Sequence, residues 1–418
     1  MKKIAYLAPE IPALSATFVY YEIIEMQKLG VNVLPISIHC PKSPAQEKLA
    51  NKIQSKTTYL YSNNFLKYFV FFLKGILSSP LRFLQTLGVL LADCYKGLHD
   101  TNYNFPNLST KIKFLTILKL IYQFFISFQL SILLKRHRIE HLHIHFAHVP
   151  VQIGMYSCYF LRIPYTFTSH ANDLFERGFL LSEKIQRSLY GITISQYNEK
   201  FLHKQGVNPD KIKIVRCGID SHQNMYTVDL DKKSYTLGSL ARLVEKKGMD
   251  DFLQACSLLL QKGIPIDVHI GGDGPEKERL QRLCTDLQLG NAVTFFGNIA
   301  HDKVYPWLCN LDLFVLACKK SSKGDMDGIP LVLMEAMNIG IPVVSTRISA
   351  IEELLEDGKN AFTARSNDPV SLANSIEKYL TLEKPNKEKL IQQAKQKLQQ
   401  DFDRTKNVIQ LKGYIYER

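Results

Sequence analysis

Chemistry in this chain is most concentrated at Asp327-Gly-Ile-Pro-Leu-Val-Leu-Met-Glu335. Pro330 suits the first turn of a helix, where its missing N–H is one of those a helix leaves unpaired anyway. The backbone N–H groups of Leu331 and Val332 then point out of the helix N-terminus and make an anion site. Asp327 lies just before that turn, joined to it by Gly328 and Ile329, and Glu335 lies about a turn and a half beyond. A carboxylate beside a phosphate repels it, so this pair should take neutral hydroxyl donors. A nucleotide-sugar answers that description, with phosphate at the amides and hydroxyls on the carboxylates. An acidic helix start followed by an ordinary surface glutamate answers it too.

Two cations stand in Gly238-Ser-Leu-Ala-Arg242-Leu-Val-Glu-Lys-Lys247-Gly248. Arg242 offers a planar fork and Lys247 a point charge, together able to neutralise a diphosphate. Taken alone, the segment also describes a basic surface loop. Gly271-Gly-Asp-Gly-Pro-Glu276 has Lys277 where a dinucleotide fingerprint needs a further glycine, so it reads as a tight turn. TFTSHANDLF ends a strand on His170, which can hydrogen-bond a substrate hydroxyl or phosphate. His141, His143 and His145 alternate onto one strand face. No acidic cluster lies nearby in sequence, so a structural or substrate-facing role is expected of them ahead of a metal site. The D-x-D spacing that can hold a divalent cation occurs at Asp229-Leu-Asp231 and Asp325-Met-Asp327.

These residues need elements to hold them. Short apolar strands alternate with longer amphipathic helices in two halves, which predicts parallel sheets covered by helices on both faces. Expected strands in the first half are 3–8, 32–38, 141–146, 165–169 and 191–195. In the second they are 235–240, 267–271, 293–296, 313–316 and 342–345. The boundary falls near 220–234, and one long charged helix is expected over about 386–418. Ligands of such doubly wound halves bind at the carboxyl ends of the strands. The stretch 64–134 breaks the rhythm with bulky apolar residues around more than one helix face, interspersed with Lys67, Lys74 and Arg82. It predicts helices at a membrane interface or helices packed on the first sheet.

Composition narrows the function classes. The chain has 418 residues, 46% hydrophobic and 22% charged, which excludes a mainly disordered protein. Net charge is 52 − 39 = +13. Residues 1–200 carry 22 basic and 11 acidic side chains, and Thr57–Arg138 carries 10 and 2. Basic plus apolar fits an anionic membrane surface better than a nucleic-acid groove. The eight cysteines form no C-x-x-C, so reduced thiols in a cytosolic protein are expected. The run Ile4–Ala8 reads as a buried strand rather than a leader. The longest apolar run, about Leu120–Leu134, is too short for a spanning helix and contains Gln123 and Gln129.

In order along the chain, these segments resemble the GT-B glycosyltransferases of the large retaining family 4, in their bacterial exopolysaccharide, colanic-acid or capsule branch. The matching pieces are P-x-L-S-x-T-F-V at Pro12–Val19, HIHFA at His143–Ala147, FTSHAND at Phe167–Asp173 and VRCGID at Val215–Asp220. GSLARLVEKKG, GGDGPE and DGIPLVLMEAM complete the set. The resemblance implies an α/β fold of two Rossmann-like domains facing across a cleft. Residues 1–222 would bind acceptor, carrying the helical insert at about 64–138 and a C-terminal helix, about 401–418, that packs back on them. Residues 223–400 would bind the nucleotide-sugar. It further implies that Arg242 and Lys247 clamp the donor diphosphate, helped by the Leu331 and Val332 amides, and that Glu335 holds the ribose. Asp327, with the Gly328–Ile329 backbone, would bind donor-sugar hydroxyls, and His170 would approach the transferring sugar, making His170 and Asp327 the catalytic pair.

Two departures stand out. The family usually has Glu-x7-Glu where this chain has Asp327, one methylene shorter. A glycine pair common in the first strand–helix loop is replaced by Leu14-Ser15-Ala16-Thr17, where Ser15 or Thr17 is expected to cap the helix. The resulting expectation is a retaining transferase using a nucleoside-diphosphate sugar and a glycan or lipid-linked acceptor. No cofactor and no divalent metal are expected, nor a nucleic-acid partner. The protein would be cytoplasmic, with an anionic membrane surface as a further partner. A nucleotide-sugar epimerase of the same fold and a non-catalytic protein that binds a membrane surface or nucleic acid are the alternatives.

Overall fold

The strand β1 (Lys3–Glu10) is enclosed on both faces, with Ile4 through Ala8 fully buried. Such a strand needs packing layers on either side, which is the environment of a central parallel strand. The computed structural model describes residues 2–13, 16–41, 48–61, 65–99, 110–220 and 234–417. Most of the boundary segment 220–234, with Asp229 and Asp231, lies outside the described residues, as do Leu14, Ser15 and residues 100–109 of the insert. The chain divides into two compact units, Met1–Val215 with Lys406–Arg418, and Arg216–Thr405.

In the first unit β1 is joined by β2 (Asn32–His39), β3 (Thr58–Tyr59), β4 (His141–His145), β5 (Tyr165–Ser169), β6 (Gly191–Thr193) and β7 (Ile212–Ile214). Their order is β3-β2-β1-β4-β5-β6-β7, parallel throughout. The order reverses between β1 and β4, so the crevice at their carboxyl ends is the expected ligand position. Register places Tyr6 beside His143, and His143 beside Thr166, in one row across three strands.

The second unit repeats the plan with β8 (Tyr235–Leu240), β9 (Ile266–Gly271), β10 (Val293–Gly297), β11 (Leu313–Leu316), β12 (Val343–Arg347) and β13 (Phe362–Arg365). Here the order is β10-β9-β8-β11-β12-β13, with the reversal between β8 and β11. Its core gathers Leu237, Val268, Phe314, Val344 and Phe252. Both units are therefore doubly wound, as the alternation of strand and helix predicts.

Two details differ from the sequence reading. The expected single final helix is two, Lys384–Asp401 and Arg404–Tyr416. They part where Ile219 N–H bonds the Phe402 carbonyl and Arg404 N–H bonds the Ile219 carbonyl, a tertiary contact that helical periodicity cannot reveal. The second of them packs Val408, Leu411 and Ile415 into the core of the first unit, beside Ile4 and Tyr6. The helix Thr17–Lys28 starts behind Ala16, with no side-chain cap, so Thr17 is a helical residue rather than the expected cap. All eight cysteines are free thiols.

The insert forms helices Phe65–Ser78, Pro80–His99 and Thr110–Arg136. The last is long and apolar enough to cross a membrane by length and composition, yet 61% of its apolar window is buried inside the protein. Leu120, Phe124, Phe128 and Leu134 are part of that burial. Asp93 ties the middle helix down: both its carboxylate oxygens take Arg187 at 2.7 Å, and Tyr156 Oη donates to it at 2.8 Å. Core and outer surface thus share these helices.

Candidate active site

At the β8–β11 reversal, two loops carry most of the residues singled out in the second half. The loop after β8 holds Arg242 and ends in a short helical turn, Glu245–Lys247. Gly248 closes that turn at φ +61°, and a Cβ there would meet the Ala317 carbonyl at 1.8 Å. Glycine is needed on both counts, and it lets this loop lie against the one that follows β11. The tight glycine turn after β9 supports it from the other side. Gly272 has φ +116°, a Cβ there would meet the Ala241 carbonyl at 1.9 Å, and Leu243 N–H bonds Asp273 O at 2.9 Å.

Ion pairs stitch the two loops together. Lys247 Nζ lies 2.6 Å from Asp327 Oδ2, while Lys246 Nζ reaches Asp325 at 2.8 Å and Asp327 at 3.3 Å. Ser322 donates its N–H and hydroxyl to Glu245, each at 2.8 Å. Lys319 pairs with Asp250 at 2.7 Å at the start of the helix Met249–Gln261. Burial alone would raise the Asp327 pKa, but Lys247 and then Lys246 more than offset it and hold it below the usual carboxylate range. Burial disfavours the Lys247 charge, and Asp327 overcomes it, leaving the ammonium above its ordinary value. Both groups are charged at neutral pH.

The other residues singled out in this half lie on the same two loops and on the helix that follows the second of them. Arg242 is exposed, and among the described residues its guanidinium has no ion-pair partner. Gly328, Ile329 and Pro330 are buried, and Pro330 occupies the cap position of the helix Leu331–Ile339, one residue earlier than expected. Leu331 and Val332 open that helix, so their N–H groups are among those with no intrahelical acceptor. Glu335 is half-buried on it, and burial raises its pKa against the pull of His301 and Arg404. Sequence reasoning placed Lys247 on phosphate and Asp327 on sugar; the structure joins them directly. It also adds Lys246 and Asp325, whose only signals were the doubled lysine and the D-x-D spacing.

His170 belongs to the first unit, at the end of β5. It starts the short helix Ala171–Phe175, its N–H donating to Asp173 Oδ1 at 2.7 Å, while Asp173 also accepts from Ala147 N–H. His170 is 8% exposed, and its imidazole lies against Phe18, Phe146 and His145. Burial, then His145 and His148, keeps its pKa well below the ordinary value, so it is neutral. His145 reaches His170 at 3.4 Å through Nδ1 and Glu22 at 3.1 Å through Nε2. His143 sits 3.6 Å from Glu22. Glu22, His143 and His145 form a group whose ligand atoms lie within 4.8 Å of one another, a geometry that could hold a metal ion. The acid that sequence proximity failed to supply comes from the helix Thr17–Lys28. His143 is already engaged by Thr166 at 2.9 Å and Thr168 at 3.2 Å, so the group is a hydrogen-bonded network.

Comparison with known proteins gives two family matches. Residues 222–397 match the model described as glycosyl transferases group 1, and residues 90–223 the model described as glycosyltransferase family 4. A protein of Salmonella typhimurium named as a colanic acid biosynthesis glycosyltransferase, WcaL, is 34% identical over 57% of this chain and 56% of its own. The amylovoran biosynthesis glycosyltransferase AmsK of Erwinia amylovora is 33% identical over 44% of this chain and 45% of its own. The matched segments therefore span about half the length of these relatives. Among solved structures, Anabaena Alr3699/HepE in complex with UDP and glucose superposes with a TM-score of 0.71 at 16% identity, covering all of both chains. The lipopolysaccharide outer core galactosyltransferase WaaB gives 0.65 at 14% identity, over 98% of this chain and 99% of its own. With the two models meeting end to end over residues 90–397, and a GT-B fold in common with these structures, the chain belongs to glycosyltransferase family 4.

Proposed function

We propose that this protein transfers a sugar, with retention at the anomeric carbon, from a nucleoside-diphosphate sugar to a hydroxyl of a lipid-linked or growing bacterial surface polysaccharide. The observation that carries the proposal is the Lys247–Asp327 pair at the β8–β11 reversal, beside the start of the helix Leu331–Ile339. Sugar and diphosphate are adjacent in such a donor, and so are a carboxylate and an ammonium here. Arg242, unpaired among the described residues, and Lys247 stabilise charge that grows on the diphosphate as the C1–O bond breaks, assisted by the Leu331 and Val332 amides. Asp327, with the Gly328–Ile329 backbone, accepts from donor-sugar hydroxyls, and Glu335 from the ribose. In the step itself, an acceptor oxygen forms the new bond to C1 on the face the diphosphate leaves. Its proton passes to the departing phosphate oxygen. The first unit binds the acceptor, and His170 is its catalytic residue.

No divalent cation enters this scheme. Asp325 and Asp327, the D-x-D pair that could ligate one, are both neutralised by lysines. The protein works on the cytoplasmic side, at the inner face of the membrane that carries the acceptor. Incubation with UDP-, GDP- and ADP-sugars and isolated lipid-linked acceptor tests the proposal. Expected are acceptor-dependent release of nucleoside diphosphate, an α-linked product from an α-linked donor by NMR, and no effect of EDTA. Arg242→Ala should raise KM for donor and Lys247→Ala should lower kcat, each about tenfold or more. Inverted product, activity abolished by chelator, or donor consumed without acceptor would each overturn part of the scheme, the last in favour of an epimerase.

A further inference from the structure

We infer that the outer face of the helical insert docks this protein on an anionic membrane surface, lying in the interface rather than crossing it. Fourteen of the twenty large apolar side chains that the described residues leave exposed fall between Leu66 and Leu118. Their spacing makes them stripes. On the helix Phe65–Ser78, Leu66, Phe69, Leu73 and Leu77 recur every three or four residues and are 42–80% exposed. Those positions share one side of a helix. The helix Pro80–His99 repeats the pattern at Leu81, Leu84 and Leu91, and its opposite side buries Phe83, Thr86, Leu90 and Asp93. A helix with an apolar inner face ordinarily turns polar residues outward, so these two present a second apolar face that none of the described residues covers.

Charge selects the occupant. Lys67, Lys74, Lys111 and Lys119 are exposed among the apolar stripes. Over Phe65–Arg136 the only acids are Asp93, buried on Arg187, and Asp100, outside the described residues. A second copy packed on this face would bring like charges together, whereas phosphate-bearing lipid supplies both hydrocarbon and negative charge. The helices lie in the interface and do not span it. The first two meet at a bend of 117°, and the third is mostly buried in the protein.

The inference deepens the proposed function, on which it rests for its purpose, by naming the face on which a lipid-linked acceptor is met. Binding can nevertheless be read without donor or acceptor. Full-length protein is floated with vesicles of phosphatidylcholine, with and without phosphatidylglycerol, at low and high salt. It should float with the anionic vesicles and be released by salt. Leu73→Glu/Leu77→Glu/Leu81→Glu should reduce that binding about tenfold or more. Lys67→Glu/Lys74→Glu, at two exposed positions of which Lys74 lies over the Phe71 ring, should do the same and also abolish the salt dependence. Circular dichroism and thermal melting confirm that each variant is folded. No flotation of the wild type, equal flotation of the charge variant, or light scattering that finds a dimer dissolved by the leucine changes would overturn the inference. Glycosyl transfer to a soluble acceptor analogue would survive any of those outcomes, and vesicle binding would survive the loss of transfer.

Discussion

Lys247 and Asp327 sit 2.6 Å apart with 16% and 14% of their side chains exposed, so the two charges are only weakly screened by water. A buried pair is costly to break from one side, because the survivor is left without its partner. Removing Lys247 leaves Asp327 to Lys246 at 3.3 Å, so Lys247→Met should cost about 2 kcal/mol rather than the ~3–5 kcal/mol of a stranded buried charge. Asp327→Leu should cost more, about 3–5 kcal/mol, because among the described residues Lys247 pairs with no other carboxylate. The double variant should recover most of the loss, since an apolar pair of similar volume carries no desolvation penalty. Urea midpoints of the four proteins test this, and additive losses would show that the two charges do not hold each other. The sign of the pH response follows. Asp327 is depressed, so its contribution is present above the unfolded carboxylate pKa and fades as pH falls through the lower folded value. Lys247 is raised, so its share is present below the unfolded lysine pKa and fades only as pH rises through the higher folded value. Between those limits the pair should give a flat profile. The residue types at this site were legible in the sequence. Their pairing was not, because Lys246, Lys247 and Asp327 meet only through the β8–β11 neighbourhood.

At the scale of elements, apolar residues around more than one face of the helical insert left core and membrane open, and the structure buries part of them in the first unit. The lock is Asp93, fully buried and held by Arg187 and Tyr156. Nothing in the local sequence marks it, since its partners lie 94 and 63 residues away. Asp93→Ala should therefore cost about 3–5 kcal/mol, as it strands the Arg187 charge and the Tyr156 hydroxyl together. Lys96 reaches Glu183 at 2.6 Å from the same helix but is 54% exposed, so Lys96→Ala should cost under ~1 kcal/mol. Chemical denaturation of the two variants checks the contrast. Equal losses would mean that burial does not decide the worth of these pairs.

For the molecule as a whole, the strand–helix alternation was enough to read two doubly wound units, because central parallel strands are near-continuous apolar runs. The unread strands are β3, β7 and β13, all at sheet edges and only two to four residues long. An edge strand owes its pairing to its neighbour more than to its own composition. The histidines of the first unit were legible as residues but not as a buried group, and that burial makes a prediction about pH. Burial pushes His141 and His148 down to about 3 and takes His143 and His170 well below the ordinary value. As pH falls below the unfolded value of about 6.5, the unfolded chain takes up protons that the folded unit refuses. Each histidine then removes about 1.4 kcal/mol of stability per pH unit. Asp173 works against them. Burial raises it to about 7, so the folded state binds its proton first and gains stability as pH falls from there toward the unfolded value. Lys184, lowered to about 7 by burial, is protonated in both states below that pH and adds no slope there. Four groups against one should leave a net loss on the order of 4 kcal/mol per pH unit. The urea midpoint of the first unit should therefore fall sharply between pH about 6.5 and 5. An unchanged or rising midpoint over that interval would mean that these imidazoles accept protons in the folded protein.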